Sequence, residues 1–286
     1  MEKKIIAIGG SNGFIGSRLV RELKKENEIL EIPRDALYNK NKLKNIIRKA
    51  DVVINVAGVP VFKIWNSKNR KRIYESRIIP SKNIVEVLNE INSKKMQLIN
   101  ASAIGIYASD KCYNEDNAKY SNNFLSKVIL DWESEVKNLN KNHKFVITRL
   151  GIVLGEGGYL QKVLPAFKMG MKITLGSGEQ YFSFIYISDL VDAFKHIIEN
   201  QLEGTFNLTC GEQLKIRNMN DQLAKMYGTW FGFHIPEWLI GLFIGQQKVL
   251  FTEGQCVQPK HLEEAGFVCR YNNLLSVIEQ IKRKSS

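Results

Sequence analysis

A glycine-rich turn near the amino terminus is the feature that most constrains the fold. The stretch IIAIGGSNGFIGSRLVREL, residues 5–23, starts with an apolar run and passes through Gly10, Gly13 and Gly16 into an amphipathic segment. The apolar run predicts a buried strand, and the amphipathic segment predicts a helix. Glycines in this GxxGxxG spacing permit a tight strand-to-helix turn, close approach of backbone amides to a pyrophosphate, and close helix–sheet packing. The sequence therefore predicts a dinucleotide-binding turn.

Strand-like and helix-like segments alternate through the first half of the chain. The strand-like runs are IIAIG, EILEI, DVVINVAG, MQLINASA and KFVITRLGIVLG, and helix-periodic segments follow each of the first four. Repeated βα units predict a parallel sheet with helices on both faces. Because crossover connections are right-handed, we expect an α/β fold with a Rossmann-type doubly wound sheet.

The pattern loosens after about residue 155, where glycine-rich turns and short strands become frequent. We therefore expect a dinucleotide-binding domain over residues 1–155, to which a later segment of about 183–210 returns. A smaller C-terminal substrate lobe would occupy residues 156–286 and include a terminal segment of about 236–286. Aromatic residues concentrate in this lobe and predict either core packing or a pocket for a flat, apolar substrate; they are Tyr181, Phe182, Phe184, Tyr186, Trp230, Phe231, Phe233 and Trp238.

The end of the second strand-like run indicates which dinucleotide is bound. NAD enzymes place Asp or Glu there to accept a hydrogen bond from the ribose 2′-hydroxyl, whereas here Pro33 and Arg34 follow Ile32. An arginine at this point can pair with a 2′-phosphate, so NADP is the expected cofactor. Two alternatives stay open: Arg34 could point to solvent, and Glu31 could serve a ribose if the strand ends two residues earlier.

Charge and cysteine usage narrow the class of protein. The net charge is +12, but the lysines are spread along the chain without a dense basic block, so no nucleic-acid partner is expected. Charged residues lead into the first strand without a signal-peptide pattern, which predicts a cytoplasmic location.

The apolar run of residues 238–245 falls far short of the ~20 residues of a membrane span and predicts a core or pocket-lining helix, with no membrane partner. Four scattered cysteines without metal-ligand spacing predict buried, reduced thiols and no metal site; they are Cys112, Cys210, Cys256 and Cys269.

Several motifs together resemble one large enzyme family. GGSNGFIG, NVAG at residues 55–58, SFIYISDLVDA at 183–193 and GTFNLT at 204–209 are similar to the extended short-chain dehydrogenase/reductases, the NAD-dependent epimerase/dehydratase family. WNSKNRKRIYESRIIPSKNIVE, RLGIVLGEGGYLQKVLPAFKMG and the tail QPKHLEEAGFVCRY resemble an uncharacterised bacterial epimerase-like branch that ends in a short C-terminal domain of unknown function.

The resemblance implies which residues bind NADP(H). Residues of the glycine turn would lie under the phosphates, Arg34 at the 2′-phosphate, and the NVAG residues beside the adenosine and ribose. Arg77 would reach the cofactor, or else be a helix-surface charge, and two residues would lie near the nicotinamide. The implied cofactor residues are Gly10, Gly13, Phe14, Ile15, Gly16, Arg34, Val56, Ala57, Gly58, Arg77, Arg149 and Val153.

The catalytic helix departs from the family pattern. Family members carry a Tyr and a Lys three residues apart, and the lysine lowers the tyrosine pKa during hydride transfer. The corresponding segment FLSKVILDWESE holds no tyrosine, and alignment on Glu133 puts Leu125 and Ile129 at the two positions. A shift by one residue gives Phe124 and Val128, and Lys127 lies about 200° around the helix from Ile129. Ordinary carbonyl–alcohol chemistry is therefore in doubt.

Two other side chains become the candidate catalytic residues. Family members use a serine at the end of the strand before this helix, which points to Ser102, and Tyr107 could donate a proton if its loop turns inward. Asp189 is expected to fix the start of its helix as an N-terminal carboxylate. The leading hypothesis is an NADP-dependent oxidoreductase or epimerase-like enzyme of unknown substrate, and the alternative is an NADP(H)-binding sensor without turnover. The resemblance also implies a homodimer through two sheet-flanking helices, unless those helices are solvated.

Overall fold

The structure is a computed structural model that describes residues 3–285, and it is built from alternating strands and helices. The strands are β1 Ile5–Gly9, β2 Glu28–Ile32, β3 Val52–Asn55, β4 Gln97–Ala103, β5 Cys112–Tyr113, β6 Lys144–Leu150, β7 Ile152–Leu154, β8 Met171–Leu175, β9 Tyr181–Tyr186, β10 Gly204–Leu208, β11 Cys210–Lys215, β12 Phe231–Ile235 and β13 Cys256–Val257. The helices are α1 Phe14–Leu23, α2 Lys40–Ile47, α3 Ser67–Asn89, α4 Phe124–Lys137, α5 Gly158–Lys168, α6 Ile187–Glu199, α7 Ile216–Tyr227, α8 Glu237–Ile244, α9 Val249–Thr252, α10 Lys260–Glu264 and α11 Leu274–Ser285.

A parallel sheet forms the centre of the molecule. Within residues 3–285 it has six strands in the order β10-β6-β4-β3-β1-β2, and each neighbouring pair is parallel. Alternate residues of β1 face opposite layers: Ile6 and Ile8 pack with Leu19 of α1, whereas Ala7 packs with Leu43 of α2. Two apolar layers therefore cover the sheet, and the predicted doubly wound fold is confirmed.

The chain reverses its direction of travel across the sheet at β1. Strand β2 pairs with one edge of β1, while β3 pairs with the other and the following strands continue outward. Ligands of open α/β sheets bind outside the carboxyl ends of the strands at such a reversal. The topology therefore directs attention to the region beyond Gly9 and Asn55.

The later part of the chain divides between the sheet and smaller layers. Strand β10 returns to the edge of the central sheet beside β6, and α6 packs against α1. Strands β7, β9 and β11 form a second sheet, and β8 pairs with β12. The domain boundaries at residues 155 and 156 remain predictions.

The exposed aromatics of the later part correct one expectation. Helix α8 was expected in the core or a pocket wall, yet Trp238 is 67% exposed and Phe243 81% exposed, and of this helix only Ile240 is buried. Trp230 is likewise 81% exposed, whereas Phe182 and Phe184 are fully buried. The aromatic concentration therefore splits between core and surface. Within residues 3–285 no helix has the length and apolarity needed to cross a membrane.

The cysteines correct a second expectation. They were predicted to be unpaired thiols, but the structure joins Cys112 to Cys256 and Cys210 to Cys269 in disulfides. The partners are 144 and 59 residues apart in sequence, so spacing alone gave no sign of the pairing. Both bonds attach the C-terminal region to earlier strands, since Cys112 lies in β5 and Cys210 in β11.

Asp189 also has a different role from the expected one. Its carboxylate does not cap its own helix but accepts hydrogen bonds from the backbone N–H groups of Arg270, at 3.0 Å, and Tyr271, at 2.9 Å. Burial raises the pKa of this carboxyl group, and the two N–H donors act in the opposite direction. Asp189 therefore attaches the C-terminal segment to α6.

Candidate active site

The glycine turn brings β1, α1 and the end of β3 into direct backbone contact. Gly10 has φ +83°, and a Cβ there would lie 2.8 Å from the Ala57 nitrogen. A Cβ on Gly16 would lie 2.0 Å from the Gly10 oxygen, which no side chain can tolerate. These two positions need glycine because of backbone conformation and close approach, respectively.

The amino end of α1 is open toward ligand. Gly13 caps the helix without any side-chain hydrogen bond, and the first turn carries no acidic residue. The unpaired N–H groups and the positive end of the helix dipole favour an anion at this point. Phe14, which begins the helix, packs against the turn of residues 155–158, where a Cβ on Gly155 would lie 2.8 Å from its ring.

Residues after β3 form the next part of the site. The Val56 nitrogen donates to the Gly9 oxygen at 3.0 Å, and Asn55 Oδ1 accepts from the Ala57 nitrogen at 3.2 Å. Gly58 lies against the Arg77 guanidinium, since a Cβ on Gly58 would be 3.3 Å from Arg77 Cζ. The predicted residues Val56, Ala57 and Gly58 are thus held beside the glycine turn.

Arg77 is a half-buried cation without an acidic partner in the described part of the chain. Its guanidinium donates to the carbonyl oxygens of Ile73, at 3.0 Å, and Val59, at 3.2 Å, and lies 5.4 Å from the Trp132 ring centroid. Burial lowers the pKa of Arg77 to about 10. It is not the solvated helix-surface charge of the alternative hypothesis.

A closed polar network supports the floor of the site. Asn55 Nδ2 donates to Asn100 Oδ1 at 2.7 Å and to Ser81 Oγ at 3.1 Å. Ser81 Oγ also accepts from Trp132 Nε1 at 2.7 Å and donates to Asn100 Oδ1 at 3.0 Å. Buried polar groups that satisfy one another in this way fix the ends of β3 and β4 relative to α3 and α4.

A cavity of about 860 Å³ opens over these strand ends. Its first half, the sheet half, is lined by Phe14, Ile15, residues 56–58, Arg77, Ser102 and Val153. Its second half, the lobe half, is lined by residues of α5, β8, β9, α7 and α9. The volume is at the upper end of the range for small-molecule sites, about 300–1,000 Å³.

Ser102 lines the cavity but its hydroxyl is already engaged. It donates a 2.6 Å hydrogen bond to Glu133 Oε1, and Ser102 is 3% exposed. Glu133 lies on α4 and also forms a paired contact with Arg149, whose Nε and Nη2 each lie 2.8 Å from a carboxylate oxygen. One buried carboxylate therefore connects the end of β4 with β6.

Tyr107 and Arg149 lie behind the cavity rather than in its wall. Arg149 Nη1 donates to the Tyr107 hydroxyl at 2.7 Å, and that hydroxyl donates to Asn207 Oδ1 at 2.9 Å. Tyr107 is fully buried, and burial raises its pKa to about 12 although the Arg149 charge acts in the opposite direction. Burial by itself lowers the pKa of Arg149, but hydrogen bonds and charge from Glu133 outweigh burial and raise it. Neither residue is part of the cavity lining.

The two α4 positions predicted to correspond to the family's Tyr–Lys pair line the cavity. Leu125 and Ile129 are both lining residues, and so are Val128 and Trp132. Lys127 is exposed on another side of the helix, in agreement with its predicted angle. The wall beside Ser102 is consequently aliphatic where an acid–base pair would be expected.

Arg34 lies at the carboxyl end of β2, beside the glycine turn. Ile32 pairs with Gly9 in the parallel register, and Arg34 follows two residues later as an exposed side chain. The neighbouring Asp35 is ion-paired with Lys42 at 2.6 Å, and this contact lowers the pKa of Asp35. Arg34 is not one of the residues that line the cavity. It follows β2, the edge strand of the sheet.

A profile of the NAD dependent epimerase/dehydratase family matches residues 6–209, which is most of the chain. The chain belongs to this family. Residues 235–281 of this epimerase-family chain match a domain of unknown function, DUF1731. The resemblance inferred from the sequence motifs is confirmed, including its terminal domain.

Relatives and solved structures match the epimerase-family chain along almost its whole length. An epimerase family protein of Staphylococcus aureus (strain MRSA252) is 30% identical over 97% of this chain and 98% of the relative. The human epimerase family protein SDR39U1 (isoform 2) with NADPH superposes with a TM-score of 0.88 at 21% identity, covering 98% of this chain and 99% of the human one. The dTDP-4-dehydrorhamnose reductase of Bacillus anthracis in complex with NADP gives 0.79 at 17% identity, covering 99% and 100%. The two structural likenesses establish the fold.

Several residues of the site were not among the sequence-based candidates. Glu133 served only as an alignment marker, and Asn55, Asn100 and Asn207 were not singled out as partners. A buried acid at an inward position of an amphipathic helix could have indicated that Glu133 has a cationic partner. No local pattern identifies Arg149 as that partner.

Proposed function

We propose that this protein binds NADP(H) and is an oxidoreductase or epimerase-like enzyme that acts on a small molecule. The observation that carries the proposal is the glycine turn, because only glycine fits at Gly10 and Gly16 and the open end of α1 adjoins the cavity. The residues present fit a dinucleotide: unpaired backbone N–H groups for the phosphates, and a cavity long enough to continue past the strand ends. Bound NADPH would supply a hydride.

The chain's own residues divide the work of binding. Gly10, Gly13 and the first turn of α1, with Phe14, Ile15 and Gly16, would hold the pyrophosphate, and residues 56–58 would contact the adenosine and ribose. Arg77 would face the cofactor as a half-buried positive charge, which its lack of an acidic partner in the described residues supports. Val153, in the cavity wall, would lie near the nicotinamide. We assign Arg149 to positioning, since Glu133 and Tyr107 occupy its guanidinium.

Arg34 supports NADP over NAD. It is an exposed cation beside the glycine turn, and Lys42 holds the carboxylate of the adjacent residue, Asp35. Purified protein titrated with both reduced nucleotides should bind NADPH more tightly than NADH. Arg34→Ala should narrow this difference, and Arg48→Ala, an exposed arginine on α2's carboxyl end, should leave it unchanged. Equal affinities in the unmodified protein would remove the NADP assignment.

Ser102 is the proposed catalytic group, and Tyr107 moves to a supporting role. Ser102 reaches the cavity wall, and its hydroxyl can donate to a substrate oxygen once it leaves Glu133. Tyr107 is buried behind the wall with its hydroxyl shared between Arg149 and Asn207, which supports a positioning function. Ser102→Ala should lower turnover while NADPH affinity is kept.

A second function, NADP(H) sensing without turnover, is favoured by the aliphatic wall at Leu125 and Ile129. An enzyme would oxidise bound NADPH in the presence of some member of a carbonyl and enone panel. A sensor would bind NADPH tightly, show no oxidation with any member, and change its protease sensitivity on binding. Turnover that depends on Ser102 would exclude the sensor.

Partners and location follow as proposals of the same kind. A homodimer through α3 and α4 is supported by the exposed Tyr74 and Leu130 on these helices, at 37% each, and light scattering tests it. Nucleic acid is not a proposed partner, because the lysines are spread along the chain without a dense basic block. A cytoplasmic location is part of the same proposal, and cell fractionation tests it.

A further inference from the structure

The lobe half of the cavity differs in chemistry from the sheet half, and this difference bears on the substrate. Its walls include Phe251 and Phe182, and Phe62, in the loop after β3, lies with its ring 6.2 Å from the Phe251 ring. Large aliphatic side chains such as Ile173 and Leu175 complete the surface. A wall of this kind removes apolar area from water and offers few groups that bind hydroxyls.

Three polar side chains of the lobe half hydrogen-bond within the protein, although Gln180 Oε1 has no partner in the described residues. Gln180 Nε2 donates to the carbonyl oxygens of Leu175, at 2.8 Å, and Phe251, at 2.7 Å. Ser183 Oγ donates to the Gln255 oxygen and accepts from the Val257 nitrogen, and Asn220 Nδ2 donates to β8. The Gln180, Ser183 and Asn220 donors that a sugar hydroxyl could use are therefore occupied, and each polar group that a ligand leaves unpaired costs about 1–3 kcal/mol.

Tyr159 adds a hydrogen-bond donor to this largely apolar wall. It lines the cavity, and its hydroxyl has no hydrogen-bond partner in the described part of the chain. Its ring packs against Phe182 at 5.1 Å between centroids, and burial raises its pKa to about 12. The hydroxyl therefore keeps its proton and can donate it in a hydrogen bond.

We propose that the lobe half binds an apolar carbonyl compound, not a sugar nucleotide, and that the Tyr159 hydroxyl donates a hydrogen bond to its carbonyl oxygen. This inference rests on the proposed function, since the compound would be the substrate presented to the cofactor. Tyr159 is thereby a specificity-determining residue. Aromatic and aliphatic walls would hold the body of the compound, and one donor would fix its orientation.

The test uses prodan, a neutral naphthyl ketone whose fluorescence emission moves to longer wavelength when its carbonyl accepts a hydrogen bond. The full-length protein should bind prodan, and excess UDP-glucose should not displace it. Phe251→Ala should weaken prodan binding by about 10-fold, because one ring of the wall is lost. Tyr159→Phe should weaken it by about 5-fold and move the emission to shorter wavelength, because only the hydroxyl is removed.

Matched variants control for other binding places. Phe243→Ala removes the same ring from the exposed face of α8, outside the cavity, and should leave prodan binding unchanged. Tyr181→Phe removes the hydroxyl of another lining tyrosine, whose ring lies 5.8 Å from Lys215 Nζ, and should leave the emission unchanged. Thermal unfolding of each variant verifies that it is folded. If Phe251→Ala is unstable, Tyr159→Phe still tests the inference, because it keeps the ring contact with Phe182.

Three results would overturn the inference: displacement of prodan by UDP-glucose, loss of binding in Phe243→Ala instead of Phe251→Ala, or an unchanged emission in Tyr159→Phe. NADPH titration of the same samples shows whether a negative result concerns the substrate class or the proposed binding of the cofactor. If prodan binding depends on Phe251 but the protein has no affinity for NADPH, only the cofactor assignment is refuted. NADPH affinity without prodan binding would refute only the substrate class.

Discussion

Glu133 is a single carboxylate that accepts hydrogen bonds from two side chains of the site. It accepts from Ser102 at 2.6 Å and from two nitrogens of Arg149 at 2.8 Å each. Its side chain is 3% exposed and that of Arg149 4%, so water cannot replace either partner. Removing one member of a buried pair leaves the other charge uncompensated, which costs more than the pair contributes by its presence.

Glu133→Gln should therefore destabilise the protein by about 3–5 kcal/mol, because Arg149 then stays charged and buried without a carboxylate. Urea denaturation followed by circular dichroism measures the change. Glu135→Gln, two residues along the same helix and without an ion pair in the described residues, is the matched control and should change stability by less than about 0.5 kcal/mol. A small effect of Glu133→Gln would show that the buried contact contributes little.

His261 makes stability depend on pH. Its Nδ1 lies 2.9 Å from the Thr205 oxygen and its Nε2 lies 2.8 Å from Asp116 Oδ1. Two oxygen acceptors require two N–H donors, so the charged imidazolium fits the site best. Burial acts to lower the pKa of His261, but these hydrogen bonds and the nearby carboxylates raise it above 6.5.

Because the folded-state pKa is raised, the stabilisation is fully present below the unfolded pKa and is lost as pH rises through the folded value. His261→Gln should lower the free energy of unfolding more at about pH 6 than at about pH 9. Because a third of the His261 side chain is exposed, the effects at the two pH values should differ by less than about 1 kcal/mol. His234→Gln, whose ring contacts one carbonyl oxygen, serves as the comparison. A larger effect at the higher pH would contradict the assignment.

At the scale of single elements, the glycine turn joins a strand, a helix and the next strand end through backbone atoms alone. The Gly13 nitrogen donates to the Gly10 oxygen at 3.0 Å, and the Ser17 nitrogen donates to the Gly13 oxygen at 2.9 Å. Since the Gly10 oxygen lies where a Cβ of residue 16 would be, the turn and the helix cannot separate independently. A change at Gly16 must move the turn that would hold the phosphates.

Gly16→Ala should consequently cost about 1–3 kcal/mol of stability and reduce NADPH affinity by about 10-fold or more. Gly228→Ala is the control, because Gly228 ends α7 with φ +64° and has no atom within 4 Å of the added Cβ. It should cost about 1–2 kcal/mol through backbone strain and leave NADPH affinity unchanged. Denaturation and fluorescence titration on both variants compare the two effects. Equal affinity losses would mean that the turn is not the nucleotide site.

At the scale of the whole molecule, the C-terminal segment is attached to both layers of the structure. Disulfides join Cys256 to β5 and Cys269 to β11, and Asp189 binds the backbone at Arg270 and Tyr271. The residues directly before Cys256 supply Glu253, Gly254 and Gln255 to the cavity wall. The terminal domain is thus part of the site and not an appendage.

Replacing both Cys210 and Cys269 by Ser should lower stability under oxidising conditions by about 4 kcal/mol, since a loop of about 60 residues is released in the unfolded chain. Under reducing conditions the same variant should unfold at nearly the same temperature as the unmodified protein. Thermal unfolding with and without a thiol reductant measures both. An equal deficit in the two conditions would indicate lost packing instead of a lost bond.

Local chemistry determined much of this protein. The glycine turn, the parallel sheet and the βα alternation could be predicted because glycine sterics and apolar periodicity act over a few residues of chain. The family was inferred from the resemblance of its motifs. The same local rules placed Arg34 at the end of β2 and showed that α4 carries no tyrosine.

Tertiary structure decided what depends on distant partners. The cysteine pairing, the contact of Glu133 with Arg149, the burial of Tyr107 and the exposure of α8 each follow from how layers pack, with partners 16 to 144 residues apart. A hydrophobic run such as that of α8 predicts a helix but does not say what covers it. The sequence specifies each surface, whereas only packing determines which surfaces meet, because burial and charge pairing are properties of two segments together.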